Sequence, residues 1–287
     1  MGFGMTETPP TEEPAITRFA PSPNGQLHLG HAYSAVFAHD IAKETGGAFL
    51  LRIEDIDGDR VQPELIDEYR RNLEWLGLEW DEVPPQSSRL ANYEAAAQDL
   101  VARGLLYPCS CTRKEILALE PRVGADGVSY PGSCKRQHHD HAQPVALRLD
   151  VDKAMREVGE LVWTDEVAGS VIADPREFGD VVIVRKDVPA SYHLAATMDD
   201  AADGVTLVTR GADLFSATHV HRILQELLKL PVPHCHHHAL LLDDDGKKLA
   251  KRRGSPPLAE RRMRGDDGLM LAEQLRLHKL KGGNFSE

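Results

Sequence analysis

Two imidazoles three residues apart, His28 and His31, flank Gly30 just after a Pro21-Ser22-Pro23-Asn24-Gly25 turn. The turn interrupts a short β-prone run, Ile16 to Ala20. It leads into a stretch in which Tyr33, Val36, Phe37 and Ile41 recur at helical spacing. Strand, turn and helix form a layout in which backbone N–H groups and the positive end of a helix face an anion. Gly30 has no Cβ, so a flat or bulky ligand can lie close on the backbone there. The turn suits a nucleotide.

Two further clusters carry chemistry. Cys109-Ser110-Cys111 and Cys134 offer three thiolates, enough for three tetrahedral positions of Zn²⁺. The phenol of Tyr130, or one of His138, His139 and His141, supplies the fourth. Lys247, Lys248, Lys251 and Arg252 form a basic run that, read alone, is a solvated surface. The run His234-Cys235-His236-His237-His238 reads differently. On an extended strand its side chains alternate between faces and do not converge on one ion, so a structural role or plain solvent exposure is the better reading. Asp243-Asp244-Asp245-Gly246 lacks the alternating ligands of a calcium loop and reads as a hairpin turn.

The positioning elements follow from the apolar pattern. Ala48 to Ile53 is a near-continuous apolar run, as in a buried parallel strand, and ends in Glu54-Asp55-Ile56-Asp57. Ligands of open α/β sheets bind beyond the carboxyl ends of strands, which places Glu54 for contact. Pro63 to Leu76 and Tyr93 to Leu105 read as packing helices. Strand-like text from Val145 to Val184 suggests an inserted α+β unit, and Asp180 to Arg185 returns to a buried-strand pattern. Gly204 to Val208 is a further strand, leading to Thr209-Arg210-Gly211, with a helix from about Ser216 to Leu228. A guanidinium at a strand's carboxyl end suits carboxylate recognition.

Composition narrows the class. The chain has 287 residues, 41% hydrophobic and 27% charged, as in a globular protein of one or two domains. A net charge of −12 argues against a protein that coats nucleic acid non-specifically, though a local basic patch can still meet a tRNA. Four cysteines are too few for a disulfide scaffold. No apolar run approaches the roughly 20 residues that span a bilayer, so no membrane partner is expected. Met1 to Pro14 does not read as a signal peptide but as a disordered tail, and a cytoplasmic location is expected. No dinucleotide G-x-G-x-x-G is present, which disfavours a dehydrogenase.

Arg18-Phe19-Ala20-Pro21-Ser22-Pro23-Asn24-Gly25, with His28-Leu29-Gly30-His31, closely resembles the signature of class I aminoacyl-tRNA synthetases. The second part corresponds to their "HIGH" element, and the first is typical of the glutamyl and glutaminyl branch. Arg52-Ile53-Glu54-Asp55, Tyr192-His193-Leu194-Ala195 and Arg210-Gly211-Ala212-Asp213-Leu214 match the same branch in family order. Lys248-Leu249-Ala250-Lys251-Arg252 resembles "KMSKS", with departures at Ala250 and Arg252. The Cys-x-Cys and Tyr-x-x-x-Cys pattern resembles the zinc site in the insertion domain of the glutamyl-queuosine tRNA(Asp) synthetase family. That resemblance implies Cys109, Cys111, Tyr130 and Cys134 as ligands of one structural zinc.

The resemblance implies an α/β fold: a Rossmann-like parallel sheet split by a zinc-bearing α+β insertion, with a small C-terminal extension. The expected division is a disordered tail at 1–15 and a first catalytic half at 16–107. The insertion follows at 108–178, the second half at 179–233, and a KMSKS-like loop with a basic helical extension at 234–287. It further implies that Arg18, Phe19, Ala20, Pro21, Ser22, Glu54, Tyr192 and Arg210 bind L-glutamate, Glu54 through the α-ammonium. Two arginines and one glutamate would select a dicarboxylate over its amide. His28, Gly30, His31, Lys248 and Lys251 would bind ATP with Mg²⁺, and His28, His31 and Lys251 would stabilise charge in the transition state.

The implied reaction is attack of the glutamate α-carboxylate on the α-phosphorus of ATP without tRNA. Transfer of glutamate to RNA follows. No anticodon-binding region of the usual kind is expected, and the expected acceptor is the queuosine base in the anticodon stem-loop of tRNA(Asp). Two alternatives are a minimal glutamyl-tRNA synthetase that charges a tRNA 3′ end and a non-catalytic glutamate or nucleotide sensor. The basic C-terminal residues, Arg253 to Lys281, are the expected site of RNA phosphate contacts.

Overall fold

The buried apolar runs pair as parallel strands. Ile16–Phe19 (β1) leads into Leu29–Glu44 (α1) and then into Ala48–Leu51 (β2), which lies parallel to β1 with Arg18 opposite Leu50. Glu64–Trp75 (α2) connects to the short strand Asp81–Glu82 (β3), parallel to β2. Side chains of β2 alternate between faces: Phe49 and Leu51 enter one apolar core and Leu50 the other. The computed structural model describes residues 13–118, 123–124, 127–136, 144–241 and 256–281. The histidines 138, 139 and 141, the acidic turn 243–246, the lysine run 247–252 and most of the N-terminal tail lie outside the described residues.

Leu90–Ala102 (α3) feeds Leu106–Cys109 (β4), followed by Arg113–Ala118 (α4) and a small hairpin of Val123–Gly124 (β5) and Gly127–Val128 (β6). Ala146–Leu149 (β7) pairs antiparallel with β4. Val151–Val158 (α5), Val162–Asp165 (β8) and Gly169–Ile172 (β9) follow, with β8 and β9 antiparallel to each other. Val182–Val184 (β10) completes an antiparallel sheet in the order β10-β7-β4. Tyr192–Ala202 (α6), Leu207–Gly211 (β11), Ala217–Leu228 (α7) and His234–His238 (β12) then return to parallel architecture. β11 pairs with β12 and β12 with β8, all in parallel.

The two parallel groups join between β1 and β11. The Thr206 N–H donates to the Ile16 carbonyl at 3.0 Å, and Arg18 Nη1 donates to the Thr209 carbonyl at 3.1 Å. β1 and β11 thus lie side by side, between a sheet ordered β3-β2-β1 and one ordered β11-β12-β8-β9. The chain leaves β1 toward β2 and leaves β11 toward β12, in opposite directions, so β1 and β11 flank the topological switch point. Two features cross the expected divisions. β12 pairs along its whole length with β11, and β8 joins the same sheet through Asp165 opposite Cys235. The sheet thus draws strands from both the 108–178 and the 234–287 ranges.

Leu258–Arg264 (α8) and Gly268–Lys281 (α9) pack against α1 and α2, with Leu258, Leu271, Ala272 and Leu275 joining the core of Phe37 and Leu73. A Cβ at Gly268 would stand 2.0 Å from the Trp75 carbonyl oxygen, so only glycine lets α9 begin there. Arg276 pairs with Asp40 of α1 at 2.9 Å, Arg264 with Glu260 at 2.7 Å, and Arg261 with Asp266 at 3.6 Å. Part of the basic C-terminal charge expected to face RNA is therefore engaged within the protein. No described helix is long and apolar enough to cross a membrane.

Candidate active site

A cavity of about 380 Å³ opens over the carboxyl ends of β1 and β11. Arg18, Phe19, Ala20, Pro21 and Ser22 line it from the end of β1 and its turn, and Glu54 from beyond β2. His28, Gly30 and His31 enter from the start of α1, Tyr192 from α6 and Arg210 from β11. The fold thus brings the expected glutamate residues together with the two histidines and Gly30. Lys248 and Lys251 lie outside the described residues.

The two histidines cap α1. His28 is the N-cap residue, and its Nδ1 accepts from the Gly30 N–H at 3.1 Å; His31 Nδ1 accepts from the His28 N–H at 3.1 Å. This is the reciprocal geometry of a capping box, built from imidazoles in place of the usual hydroxyl and carboxylate. With both Nδ1 atoms accepting, each neutral ring carries its proton on Nε2. The rings stack with centroids 3.9 Å apart. Gly30 has a second purpose here: a Cβ would meet His28 Cε1 at 3.1 Å and Nδ1 at 3.2 Å, displacing that ring. The first turn of α1 contains no acidic residue, so its positive end is available to an anion.

Beneath the cavity lies a buried ionic network. Arg18 Nε meets Asp200 Oδ1 at 2.9 Å, and Arg52 Nη2 meets the same oxygen at 2.9 Å and Glu54 Oε1 at 3.3 Å. Arg52, fully buried, also reaches Asp203 at 3.1 Å. Asp199 accepts from Tyr93 Oη at 2.8 Å, Gln86 Nε2 at 2.8 Å and Arg89 Nη1 at 3.2 Å. Burial alone would raise the Asp200 pKa, but Arg18 and Arg52 together hold it below the usual carboxylate range. Glu54 goes the other way. Its burial outweighs the attraction of Arg52, which also meets three aspartates, so its pKa is raised.

Arg210 is placed differently. Its guanidinium donates to His237 Nε2 at 3.1 Å, to Tyr192 Oη at 3.1 Å and to Thr218 Oγ1, with His221 Nδ1 at 3.4 Å from Nη1. Each partner is neutral. Burial and the nearby guanidinium push His237 down to about 4 and His221 well below its ordinary value. Arg210 is only 6% exposed, yet among the described residues no carboxylate touches it. Arg18, by contrast, is already matched by Asp200.

The cysteine cluster forms apart from this cavity. The Sγ atoms of Cys109, Cys111 and Cys134 lie within 4.8 Å of one another, and Cys111 and Cys134 are 3.3 Å apart. Tyr130 Oη stands 3.5 Å from Cys109 Sγ and 3.6 Å from Cys111 Sγ. Zinc–thiolate bonds of about 2.3 Å need sulfurs roughly 3.8 Å apart, so this donor set of three sulfurs and one phenol fits a tetrahedral zinc. The Arg148 guanidinium covers the Tyr130 ring at 3.8 Å.

Sequence reading assigned no role to Arg52, Asp165, Asp200, Thr218 or His221. One signal was present for Asp200: two adjacent acids in the otherwise apolar helix α6 can be buried only with partners. For Asp165 there was none, because its partner is 72 residues away.

The family described as "tRNA synthetases class I (E and Q), catalytic domain" matches residues 15–280. A glutamyl-Q tRNA(Asp) synthetase of Rhodobacter capsulatus is 48% identical over 240 residues, covering 77% of this chain and 85% of that protein. Its counterpart in Deinococcus radiodurans is 43% identical over 263 residues, covering 89% and 86%. Among solved structures, a glutamate tRNA ligase from Elizabethkingia meningosepticum in complex with its amino acid superposes with a TM-score of 0.69 at 27% identity. It covers 85% of this chain, and the chain spans 54% of that structure.

Proposed function

Because the chain belongs to the class I tRNA synthetases of the glutamyl and glutaminyl type, we propose that it is an ATP-dependent tRNA ligase that activates L-glutamate and transfers it to the queuosine base of tRNA(Asp). The observation that carries the amino acid is Arg210, a buried cation whose described partners are all neutral. An incoming side-chain carboxylate supplies the missing counter-charge, whereas the amide of glutamine cannot. Glu54 meets the α-ammonium. Arg18 uses three of its five N–H donors on Asp200 and Thr209, and turns its remaining edge to the cavity.

The α-carboxylate attacks the α-phosphorus of ATP, forming glutamyl-adenylate and releasing pyrophosphate. A carboxylate needs no general base, so catalysis rests on orientation and charge stabilisation. The Nε2–H groups of His28 and His31, at the positive end of α1, donate to the phosphate oxygens, and Mg²⁺ accompanies the ATP. Lys248 and Lys251 neutralise the departing pyrophosphate. Cys109, Cys111, Tyr130 and Cys134 would hold one zinc that ties β4 to the loop before β7. A zinc held there would supply rigidity.

The queuosine acceptor is supported by relatives of similar length that carry the glutamyl-Q name, 85% and 86% of which this chain covers. The decisive assay is ATP–pyrophosphate exchange with glutamate in the absence of tRNA. Exchange with glutamate and none with glutamine is expected; no exchange from folded, zinc-loaded protein would refute tRNA-independent activation and favour a sensor. Transfer of labelled glutamate is then followed on tRNA(Asp) with and without queuosine. Label in an anticodon-loop fragment supports this reading, and label at the 3′ end replaces it with ordinary charging.

A further inference from the structure

We propose that His237, its ring proton held by Asp165, is the positioning residue that aims Arg210 at the substrate's side-chain carboxylate while giving it no counter-charge. The inference rests on the reading that Arg210 meets that carboxylate. His237 and Arg210 are register partners on the parallel strands β12 and β11, which sets both side chains on one face of the sheet. Asp165 Oδ2 lies 2.7 Å from His237 Nδ1. The same carboxylate accepts the His237 N–H at 3.2 Å and those of Val167 and Ala168 at 2.9 Å each. A carboxylate so placed takes the ring proton at Nδ1 and leaves Nε2 as an acceptor. Nε2 faces Arg210 Nε at 3.1 Å and the Thr218 hydroxyl at 3.2 Å. The ring is gripped between Phe215 and Trp163, with centroids 4.9 Å and 5.8 Å away.

The order Asp165, His237, Arg210 solves a specific problem. A carboxylate placed directly on Arg210 would orient it but also neutralise it, and the substrate would then compete with the protein for the guanidinium. An imidazole between them passes on the orientation and keeps the negative charge one ring away. β8 is what brings Asp165 here, from a range of the chain otherwise given to the insertion.

Two substitutions separate this role from a structural one. In His237→Asn the amide nitrogen sits where Nδ1 sits, so it still donates to Asp165 but offers Arg210 nothing. In His237→Gln the amide reaches the place of Nε2 and offers Arg210 its carbonyl, while Asp165 loses its donor. In pyrophosphate exchange, His237→Asn is expected to raise KM for glutamate about tenfold or more with KM for ATP unchanged, and His237→Gln to stay within about threefold. The Tm shifts should run the opposite way, with Gln the less stable. Equal KM shifts in the two variants, or the larger one in Gln, would overturn the positioning role. If only the Gln variant folds, a tenfold glutamate KM increase in it does the same. Wild-type protein without exchange would instead count against the functional reading itself.

Discussion

Replacing Arg210 with glutamine removes a buried positive charge while keeping a hydrogen-bond donor at the end of the side chain. Arg210 is 6% exposed and bonded to His237, Tyr192 and Thr218, none of which carries the charge that would compensate it. In the empty protein the substitution therefore deletes a desolvation cost, and the glutamine amide can still serve Thr218 or His237. Stability should change by less than about 1 kcal/mol, or rise. With substrate the balance reverses. Two charge-assisted hydrogen bonds to a carboxylate, at about 1.5 kcal/mol each, amount to about 3 kcal/mol. That corresponds to roughly a hundredfold loss in kcat/KM for glutamate. Discrimination against glutamine should shrink by a similar factor. Pyrophosphate exchange over a range of glutamate and glutamine concentrations, with urea unfolding of the ligand-free protein, measures both sides. A glutamate kcat/KM within about threefold of wild type, or a stability loss above about 3 kcal/mol, would refute the reasoning that this charge awaits the substrate.

The opposite pattern is expected at Asp200. Asp200→Asn strips the shared partner from Arg18 and Arg52 and should cost about 3–5 kcal/mol in urea unfolding, because both cations stay buried. Gly30→Ala introduces a Cβ 3.1 Å from His28 Cε1 and should slow exchange about tenfold by displacing the ring, with glutamate KM unmoved. Chelation should release zinc equimolar with protein, lower the Tm and open the region around β4 and β7 to proteolysis; a protein purified without zinc and unaffected by chelator would exclude the metal. Glu54, its pKa raised by burial, must ionise to meet the α-ammonium, so glutamate KM should rise as pH falls through that raised value. Because the folded pKa exceeds the unfolded one, the contribution of Glu54 to stability is full below the unfolded value and is lost as pH rises through the folded one. Binding and stability should therefore move in opposite directions over the same window, a pattern that Glu54→Gln removes.

Much of this site is readable without coordinates because its parts are contiguous. Strand, turn and helix across Ile16 to Glu44 form one local unit, and its turn residues, glycine and paired histidines are spaced by backbone geometry alone. Buried strands declare themselves as apolar runs, and Arg210 and Glu54 stand just where such runs end. Three thiols and a phenol at short spacing likewise announce a cluster, and the fold does gather them. What local pattern cannot carry is pairing at a distance. Arg18 and Asp200 are 182 residues apart, on β1 and α6, and His237 and Asp165 are 72 apart, on the neighbouring strands β12 and β8; only the packing of these elements brings each pair together. The charge balance changed with them. Two arginines equivalent in the sequence become unlike in the fold, Arg18 matched by a buried aspartate and Arg210 bonded, among the described residues, to neutral groups. Residue type and spacing determined which side chains could reach a ligand. Tertiary burial decided which of them has no counter-charge among the described residues, because electrostatic demand depends on what surrounds a group once water is gone.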